Sequence, residues 1–212
     1  MTQIIPAILT KNIEDFDHKM TAIHGLSAWV QVDIMDGVFV PNTSVDISVA
    51  DPYKNDVSVE AHLMVHNPLE YVAPCKEFGV KRVIFHFEST QDAVSVANAI
   101  TEAGMEAGIA INPETKVVDI ANVIPHIKRV LFLGVHPGFQ KQTFLPDTLY
   151  KIRELKVLFP EMIAAVDGGV NQETIESIVA AGADSLIIGS ALFETDDIKK
   201  NLEYLQDLAQ PK

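Results

Sequence analysis

Two aspartates, Asp33 and Asp167, lie at the ends of apolar stretches of the kind that form buried β-strands. Burying a carboxylate is costly unless the group has a partner, a metal ion or a catalytic task. Each residue faces this cost independently, so we interpret both as functional rather than as structural hydrogen-bond acceptors. Two carboxylates that share a site typically move protons or hold a cation.

A histidine, His62, ends another apolar run, and Met64 follows on the same face of that strand. A lone histidine in this position is usually a packed core residue, but beside two aspartates it becomes a candidate metal ligand or proton carrier. Strand alternation also places Gln31 and Met35 on the face of Asp33. Weaker polar candidates follow other strands, namely His66, His86, Glu88, Asn112 and His136.

Asp167 is followed directly by Gly168 and Gly169, and Asn171 then opens a helical segment. Glycines at a strand-to-helix turn let a ligand approach the backbone closely and present N–H groups that can hold a phosphate. Gly189 and Ser190 repeat this arrangement one unit later. The two turns together predict a phosphate site beside Asp167.

These residues need a scaffold that brings strand ends together, and the chain shows one. Short runs rich in Ile, Val and Leu recur about every 25 residues and alternate with amphipathic segments, which predicts a parallel sheet. Eight such units predict an α/β fold, a (β/α)8 barrel with its active site at the carboxyl ends of the strands. The predicted strands are Ile4–Ile8, Trp29–Ile34, Ser58–Leu63, Arg82–His86, Glu106–Ile111, Arg129–Leu133, Met162–Val166 and Ser185–Ile188.

Helix signals lie between the strands. Asn12 is a predicted N-cap, and Thr90 is the predicted cap of the helix from Asp92 to Ala103. The longest connection, from Asp36 to Asn55, contains prolines and only a weak helix. Two interpretations of it stay open: a lid over the active site, or a loop that packs over the barrel mouth. Further helices are predicted after Pro146, after Asn171 and from Asp196 to Leu208.

Composition limits the possible functions. The 16 basic and 29 acidic residues give a formal charge of -13, which argues against nucleic acid and anionic membrane surfaces as partners. Cys75 is the only cysteine, and the first twelve residues lack the pattern of a signal peptide. No apolar run approaches the length of a membrane span. We therefore expect a cytoplasmic protein with one domain over residues 1–212.

Seven short motifs, taken together and in order, resemble the ribulose-phosphate 3-epimerase family. No single motif is specific, but the collinear set is, and it extends over almost the whole chain. The motifs are Pro6-Ala7-Ile8-Leu9, Val32–Gly37 continued by Phe39–Asn42, His62–Met64, Asn112-Pro113, Val135–Phe139, Val166–Gly169 and Gly189–Ala191.

The resemblance implies a barrel of the ribulose-phosphate-binding type that epimerises a ketopentose phosphate at carbon 3. Asp33 and Asp167 match the family's two proton-transferring aspartates, and with His62 they match three of its four metal ligands. The implied cofactor is a divalent metal such as zinc, iron, manganese or cobalt, and the implied partner is a small sugar phosphate. A homo-oligomer is compatible with the resemblance. Residues that match the family's substrate site are Met35, Met64, His136, Gly138, Gly168, Gly169, Gly189 and Ser190.

Four departures from the family pattern lie near this site. Gln31 stands where the family has its first metal-ligand histidine, and a carboxamide oxygen is a poorer ligand than imidazole for a zinc-like ion. Ala7 replaces a serine, His136 replaces an asparagine, and Gln140-Lys141 replaces a pair of glycines. We therefore expect the metal to bind weakly or not at all.

Three functions stay open at this point. The first is an epimerase with a weakened metal site, which acts on ribulose phosphate or a related sugar phosphate. The second is a sugar-phosphate-binding barrel that has lost activity and serves a binding or regulatory role. The third is a decarboxylase or aldol enzyme of the same barrel group, which Met35 argues against because such sites need a lysine there.

Overall fold

The computed structural model describes residues 2–139 and 141–210, so Gln140 lies outside the described residues. All eight predicted strands are present, each within one residue of the predicted bounds. Their β-branched and leucine-rich sequences suit a sheet that is buried on both faces. The strands are β1 Gln3–Ile8, β2 Trp29–Met35, β3 Ser58–Met64, β4 Arg82–His86, β5 Glu106–Ile111, β6 Arg129–Leu133, β7 Ile163–Asp167 and β8 Ser185–Ile188.

The strands are all parallel and close into a barrel in chain order, with β8 pairing β1. This confirms the predicted (β/α)8 architecture. Side chains of alternate strand residues fill the barrel interior, among them Ile5, Ile84, Leu131 and Ile187. The opposite faces of the strands pack against the helices in a larger outer core, which contains Phe16, Phe85 and Phe132 among other residues.

Seven α-helices surround the described part of the barrel: α1 Ile13–Ile23, α2 Leu69–Glu77, α3 Ala93–Glu102, α4 Thr148–Leu158, α5 Ile175–Ala180, α6 Ser190–Phe193 and α7 Ile198–Leu208. Short 3-10 helices take the place of an α-helix after β2 (Ile47–Tyr53) and after β5 (Val117–Ile120 and Ile124–His126). None of the helices within residues 2–139 and 141–210 has the length and apolarity to span a membrane.

Two predicted helix starts need correction. Asp92, not Thr90, caps α3, because its carboxylate accepts a hydrogen bond from the backbone N–H of Ser95. Asn171 opens a turn rather than the helix itself: its side chain accepts from the N–H of Glu173, and α5 begins at Ile175. Asn12 caps α1 as predicted, accepting from the N–H groups of Glu14 and Asp15.

The long connection after β2 packs onto the barrel. Ile47 and Ala50 from its 3-10 helix are fully buried in the outer core. Nearer the strand, the Asp36 carboxylate accepts hydrogen bonds from the backbone N–H groups of Val38, Phe39 and His66. The structure therefore favours the packed loop over the lid, at least for the segment around Ile47.

The amino-terminal ends of the strands are closed by a buried ionic network, which the sequence patterns did not reveal. Arg82 donates to Glu60 at 2.6 Å and to Glu106 at 2.5 Å. Arg129 joins the same two carboxylates at 3.6 and 3.5 Å. The guanidinium carbon of Arg82 also lies 3.9 Å from the centre of the Trp29 ring. Charges buried in this way need opposite charges nearby, and here both guanidinium groups lie close to both carboxylates.

Candidate active site

The register between β2 and β3 assembles one half of the site. Asp33 pairs with His62, and two residues further Met35 pairs with Met64. Parallel partners point to the same side of a sheet, so all four side chains face the barrel mouth. Asp167 reaches the same mouth from the end of β7. A cavity of ≈ 450 Å³ opens there, at the carboxyl ends of the strands, as expected for a barrel of this class.

Asp33, His62 and Asp167 form a compact cluster. The Nδ1 atom of His62 lies 3.1 Å from an Asp33 oxygen and 3.4 Å from an Asp167 oxygen. One ligand atom from each of the three residues lies within 4.8 Å of the others. His62 is buried and Asp33 nearly so, while Asp167 is partly exposed to the cavity.

Gln31 lies beneath this cluster and joins its members. Its amide nitrogen donates to Asp33 at 2.8 Å and to Asp167 at 2.6 Å, and it lies 3.4 Å from His62 Nδ1. Its amide oxygen is buried and has no hydrogen-bond partner among residues 2–139 and 141–210. The position that the sequence marked as a doubtful metal ligand therefore turns its nitrogen, not its oxygen, towards the carboxylates.

Burial and charge shift the ionisation of the cluster. Burial raises the pKa of Asp33 above the ordinary value, and the neighbouring Asp167 charge adds to this effect. Burial alone would lower the pKa of His62, but its hydrogen bonds to Asp167 and Asp33 outweigh burial and raise that pKa to about 9. A proton is therefore held readily among these three groups.

His86 extends the polar cluster into the barrel. Its Nε2 atom lies 2.9 Å from Nε2 of His62, and the two rings stack with their centroids 5.1 Å apart. Glu88 lies 3.4 Å from Nδ1 of His86. Burial lowers the pKa of His86 to about 4, so this ring is neutral at pH 7. The sequence marked His86 only as a weak candidate, because strand spacing carries no sign of a contact between β3 and β4.

Apolar side chains cover one wall of the cavity. Met35 and Met64 pack with Val40, and Leu9 and Phe39 lie against them. Three of these five residues come from β2 and the loop after it. The wall thus shields Asp33 and His62 from bulk water on that side.

The other wall is mostly backbone. Gly168 and Gly169 have positive φ angles of 93° and 69°. A Cβ atom at Gly169 would lie 2.8 Å from the Cα of Phe144, so only glycine fits there. The remaining residues of the predicted substrate site also line this cavity, namely His136, Gly138, Gly189 and Ser190.

A cation from the loop after β6 reaches the rim of the cavity. Lys141 has a positive φ of 62°, which is uncommon for a residue other than glycine. Its Nζ atom lies 2.8 Å from Glu194, and both side chains are exposed. His136 is exposed as well and lies 3.4 Å from Glu114.

The cluster has the donor set of a divalent metal site. Asp33 and Asp167 offer carboxylate oxygens and His62 offers an imidazole nitrogen, a combination that suits zinc, iron, manganese or cobalt. The residues present therefore fit such an ion.

Two sequence relatives and one family profile carry the same name. The profile described as "Ribulose-phosphate 3 epimerase family" matches residues 3–193. A ribulose-phosphate 3-epimerase of Mycobacterium bovis is 35% identical over 200 residues, which cover 92% of this chain and 87% of that protein. One from Eremothecium gossypii is 30% identical over 220 residues, which cover 96% of this chain and 91% of that protein.

Solved structures agree on the fold. KGPDC from Streptococcus mutans superposes with a TM-score of 0.81 at 10% identity and covers 98% of this chain and 97% of that one. A 3-hexulose-6-phosphate synthase from Salmonella typhimurium gives 0.73 at 12% identity, covering 98% of each chain. At such low sequence identity the superpositions show only the barrel architecture. The family profile and the sequence relatives show the family. The chain belongs to the ribulose-phosphate 3-epimerase family.

Proposed function

We propose that this protein is an epimerase that inverts carbon 3 of a ketose phosphate, with ribulose 5-phosphate as the first substrate to test. The observation that carries the proposal is the convergence of Asp33 and Asp167 on one cavity, from strands on different sides of the barrel mouth. Inversion needs one group to remove a proton from one face of the substrate and another to return a proton to the opposite face.

In the proposed reaction, one aspartate removes the proton next to the carbonyl and leaves a flat enediolate. The second aspartate, carrying a proton, delivers it to the other face. Burial raises the pKa of Asp33, which lets this carboxyl act as a base and then hold the proton it has taken. When bound, a divalent metal supplies positive charge that offsets the negative charge on the substrate oxygens. Asp33, His62 and Asp167 would hold it.

Substrate binding is assigned to the two cavity walls. Met35 and Met64 pack above the flat intermediate and exclude water from it. The backbone around Gly168 and Gly169, together with Gly189 and Ser190, holds the phosphate. His136 and Gly138 also line the cavity, and we assign them to the remainder of the sugar.

A second candidate function is a sugar-phosphate-binding barrel without turnover. The geometry of Gln31 favours it, because both catalytic carboxylates already accept hydrogen bonds from an amide. A lysine-dependent decarboxylase or aldol reaction is disfavoured, since Met35 offers a thioether where such a reaction needs an amine. For both the epimerase and the binding-only candidate, we propose a cytoplasmic protein of one domain that binds a small metabolite.

Conversion of ribulose 5-phosphate to xylulose 5-phosphate tests the proposal directly. The purified protein would be assayed after chelation and again with added zinc, iron(II), manganese or cobalt, with Asp167→Asn as the inactive control. Sugar-phosphate binding would be measured in parallel by calorimetry. Turnover above that of the control supports the epimerase. Binding without turnover under any metal condition would overturn it in favour of the second candidate.

A further inference from the structure

The amide group of Gln31 fills the space between the two catalytic carboxylates. An amide NH2 group has two N–H bonds, and here one is directed to Asp33 and the other to Asp167. No lysine or arginine contacts either carboxylate in the part of the chain that the structure describes. Apart from His62, the Gln31 amide is therefore the group that offsets their negative charge.

The oxygen of the same amide makes no hydrogen bond to the described residues. It is buried without a partner among the described residues, and its neighbour across the β1–β2 register, Ala7, has only a methyl group to offer. A buried carbonyl oxygen without a partner is a cost to the protein. The orientation of the amide is therefore set by the carboxylates, which hold its nitrogen, and not by its oxygen.

A metal ion and this NH2 group exclude each other. A zinc-like ion binds carboxylate oxygens at roughly 2.0–2.2 Å. The Gln31 nitrogen already occupies the position 2.8 Å from the Asp33 oxygen and 2.6 Å from the Asp167 oxygen. Its hydrogens carry partial positive charge, so an adjacent cation would also repel it.

We propose that the Gln31 carboxamide is a built-in substitute for the cation: it holds Asp33 and Asp167 together in the metal-free protein, and a metal binds only by displacing it. The inference rests on the proposed function in one respect, namely that Asp33, His62 and Asp167 are the metal site. It does not depend on turnover. The inference also predicts how metal affinity changes when Gln31 is replaced. If Gln31 were a weak fourth ligand, its removal would weaken metal binding, whereas removal of a competitor strengthens it.

Gln31→Met tests the sign, because it keeps the length of the side chain and removes the NH2 donors. Calorimetric titration of the chelated proteins with zinc and with cobalt gives the metal affinity, and thermal unfolding in EDTA gives the stability without metal. We expect the variant to bind metal at least about tenfold more tightly. In the wild-type protein, metal binding must break the two charge-assisted hydrogen bonds of Gln31, whereas the variant has no such bonds to break. We also expect its unfolding temperature in EDTA to fall and to recover when metal is added.

Two further variants complete the design. Gln206→Met makes the same chemical change on the exposed face of α7 and should alter neither quantity. Gln31→Asn keeps the amide but shortens its reach, so it should shift both quantities in the direction of Gln31→Met by a smaller amount, and it serves if the methionine variant does not fold.

Weaker metal binding by the Gln31 variants would overturn the proposal and identify the amide oxygen as a ligand. Unchanged affinity, or no detectable metal binding by any of the proteins, would overturn it as well. Loss of the epimerase assignment is a separate outcome, because it is decided by turnover and not by metal affinity or unfolding.

Discussion

The Nε2 atoms of His62 and His86 lie 2.9 Å apart in the interior of the barrel, and both rings are shielded from solvent. Two facing ring nitrogens at this distance share one proton. Glu88, 3.4 Å from Nδ1 of His86, favours a proton on that nitrogen and leaves Nε2 of His86 as the acceptor. His62 then donates through Nε2, and its raised pKa keeps a proton on Nδ1, which faces Asp33 and Asp167.

His86→Phe should weaken the site without touching the substrate. The change removes the acceptor that fixes the ring of His62, and loss of such a supporting partner typically costs roughly 10- to 100-fold in metal affinity or activity. Metal affinity by calorimetry and kcat for epimerisation would both be measured. His18→Phe, on the exposed side of α1, is the matched control. Wild-type affinity and kcat in His86→Phe would contradict the assigned contact.

The buried histidines also predict how stability depends on pH when metal is chelated. The pKa of His86 is about 4 in the folded protein against 6.5 as the ordinary value, so its contribution to stability is complete above pH 6.5 and is lost as pH falls towards 4. This amounts to ~3 kcal/mol, since one pKa unit corresponds to about 1.4 kcal/mol. His62 has the opposite shift, to about 9, so its contribution is lost as pH rises from 6.5 to 9.

Urea unfolding between pH 4 and pH 9 in EDTA would measure both slopes. His86→Phe should flatten the acid side, and His62→Gln should flatten the alkaline side. A profile for either variant that runs parallel to the wild type would show that the corresponding ring does not carry the shift.

An isotope-exchange experiment should distinguish the roles of the two aspartates. Asp33→Asn and Asp167→Asn should each lower epimerisation by about 10²- to 10⁴-fold, because inversion needs both groups. Each variant keeps the base for one face, so each should still exchange the carbon 3 hydrogen of one epimer with deuterium from the solvent. NMR detection of that exchange is the measurement. Exchange into both epimers by one variant would assign both proton transfers to a single residue.

The ion pair between Lys141 and Glu194 should compete with the substrate phosphate. Both side chains are exposed at the cavity rim, so the pair itself contributes at most about 1 kcal/mol. Lys141→Met should raise KM severalfold and leave kcat nearly unchanged, whereas Glu194→Gln should free the lysine and lower KM. Both effects should shrink in high salt. Steady-state kinetics at two ionic strengths check this, and an equal KM in all three proteins would exclude a role for the lysine.

Gly169→Ala should destabilise the fold as well as the proposed phosphate site. Alanine at a positive φ costs about 1 kcal/mol, and here its Cβ would also meet the backbone of Phe144, for a total of about 2 kcal/mol or more. Gly104 has a φ of +85° with open space around it, so Gly104→Ala isolates the conformational cost alone. Denaturant unfolding of both variants gives the difference, and equal losses would contradict the close contact with Phe144.

Much of this architecture could be predicted from the sequence, because parallel strands buried on both faces leave a clear mark as short runs of Ile, Val and Leu. Once a barrel is assumed, Asp33, His62 and Asp167 must converge, since all three end strands at the same face. The direction of the Gln31 amide could not be predicted, because it depends on a side-chain torsion that the neighbouring carboxylates decide. The residue types do not separate Thr90 from Asp92 as the cap of α3, because both cap helices well and only the backbone geometry distinguishes them.

The buried ionic network could not be predicted for another reason. It consists of Glu60, Arg82, Glu106 and Arg129. Each residue occupies an ordinary position near the start of a strand, where charged side chains usually reach solvent. In a closed barrel those positions point inward, and the four charges meet only because four consecutive strands are adjacent in space.

Trp29, the only tryptophan of the chain, stacks on Arg82 at the amino-terminal ends of the strands, away from the cavity at their carboxyl ends. Its fluorescence should therefore change when the barrel unfolds and stay the same when a metal or a sugar phosphate binds. The protein carries an optical probe of unfolding that is independent of its ligands, so denaturation curves recorded with and without ligand can be compared directly.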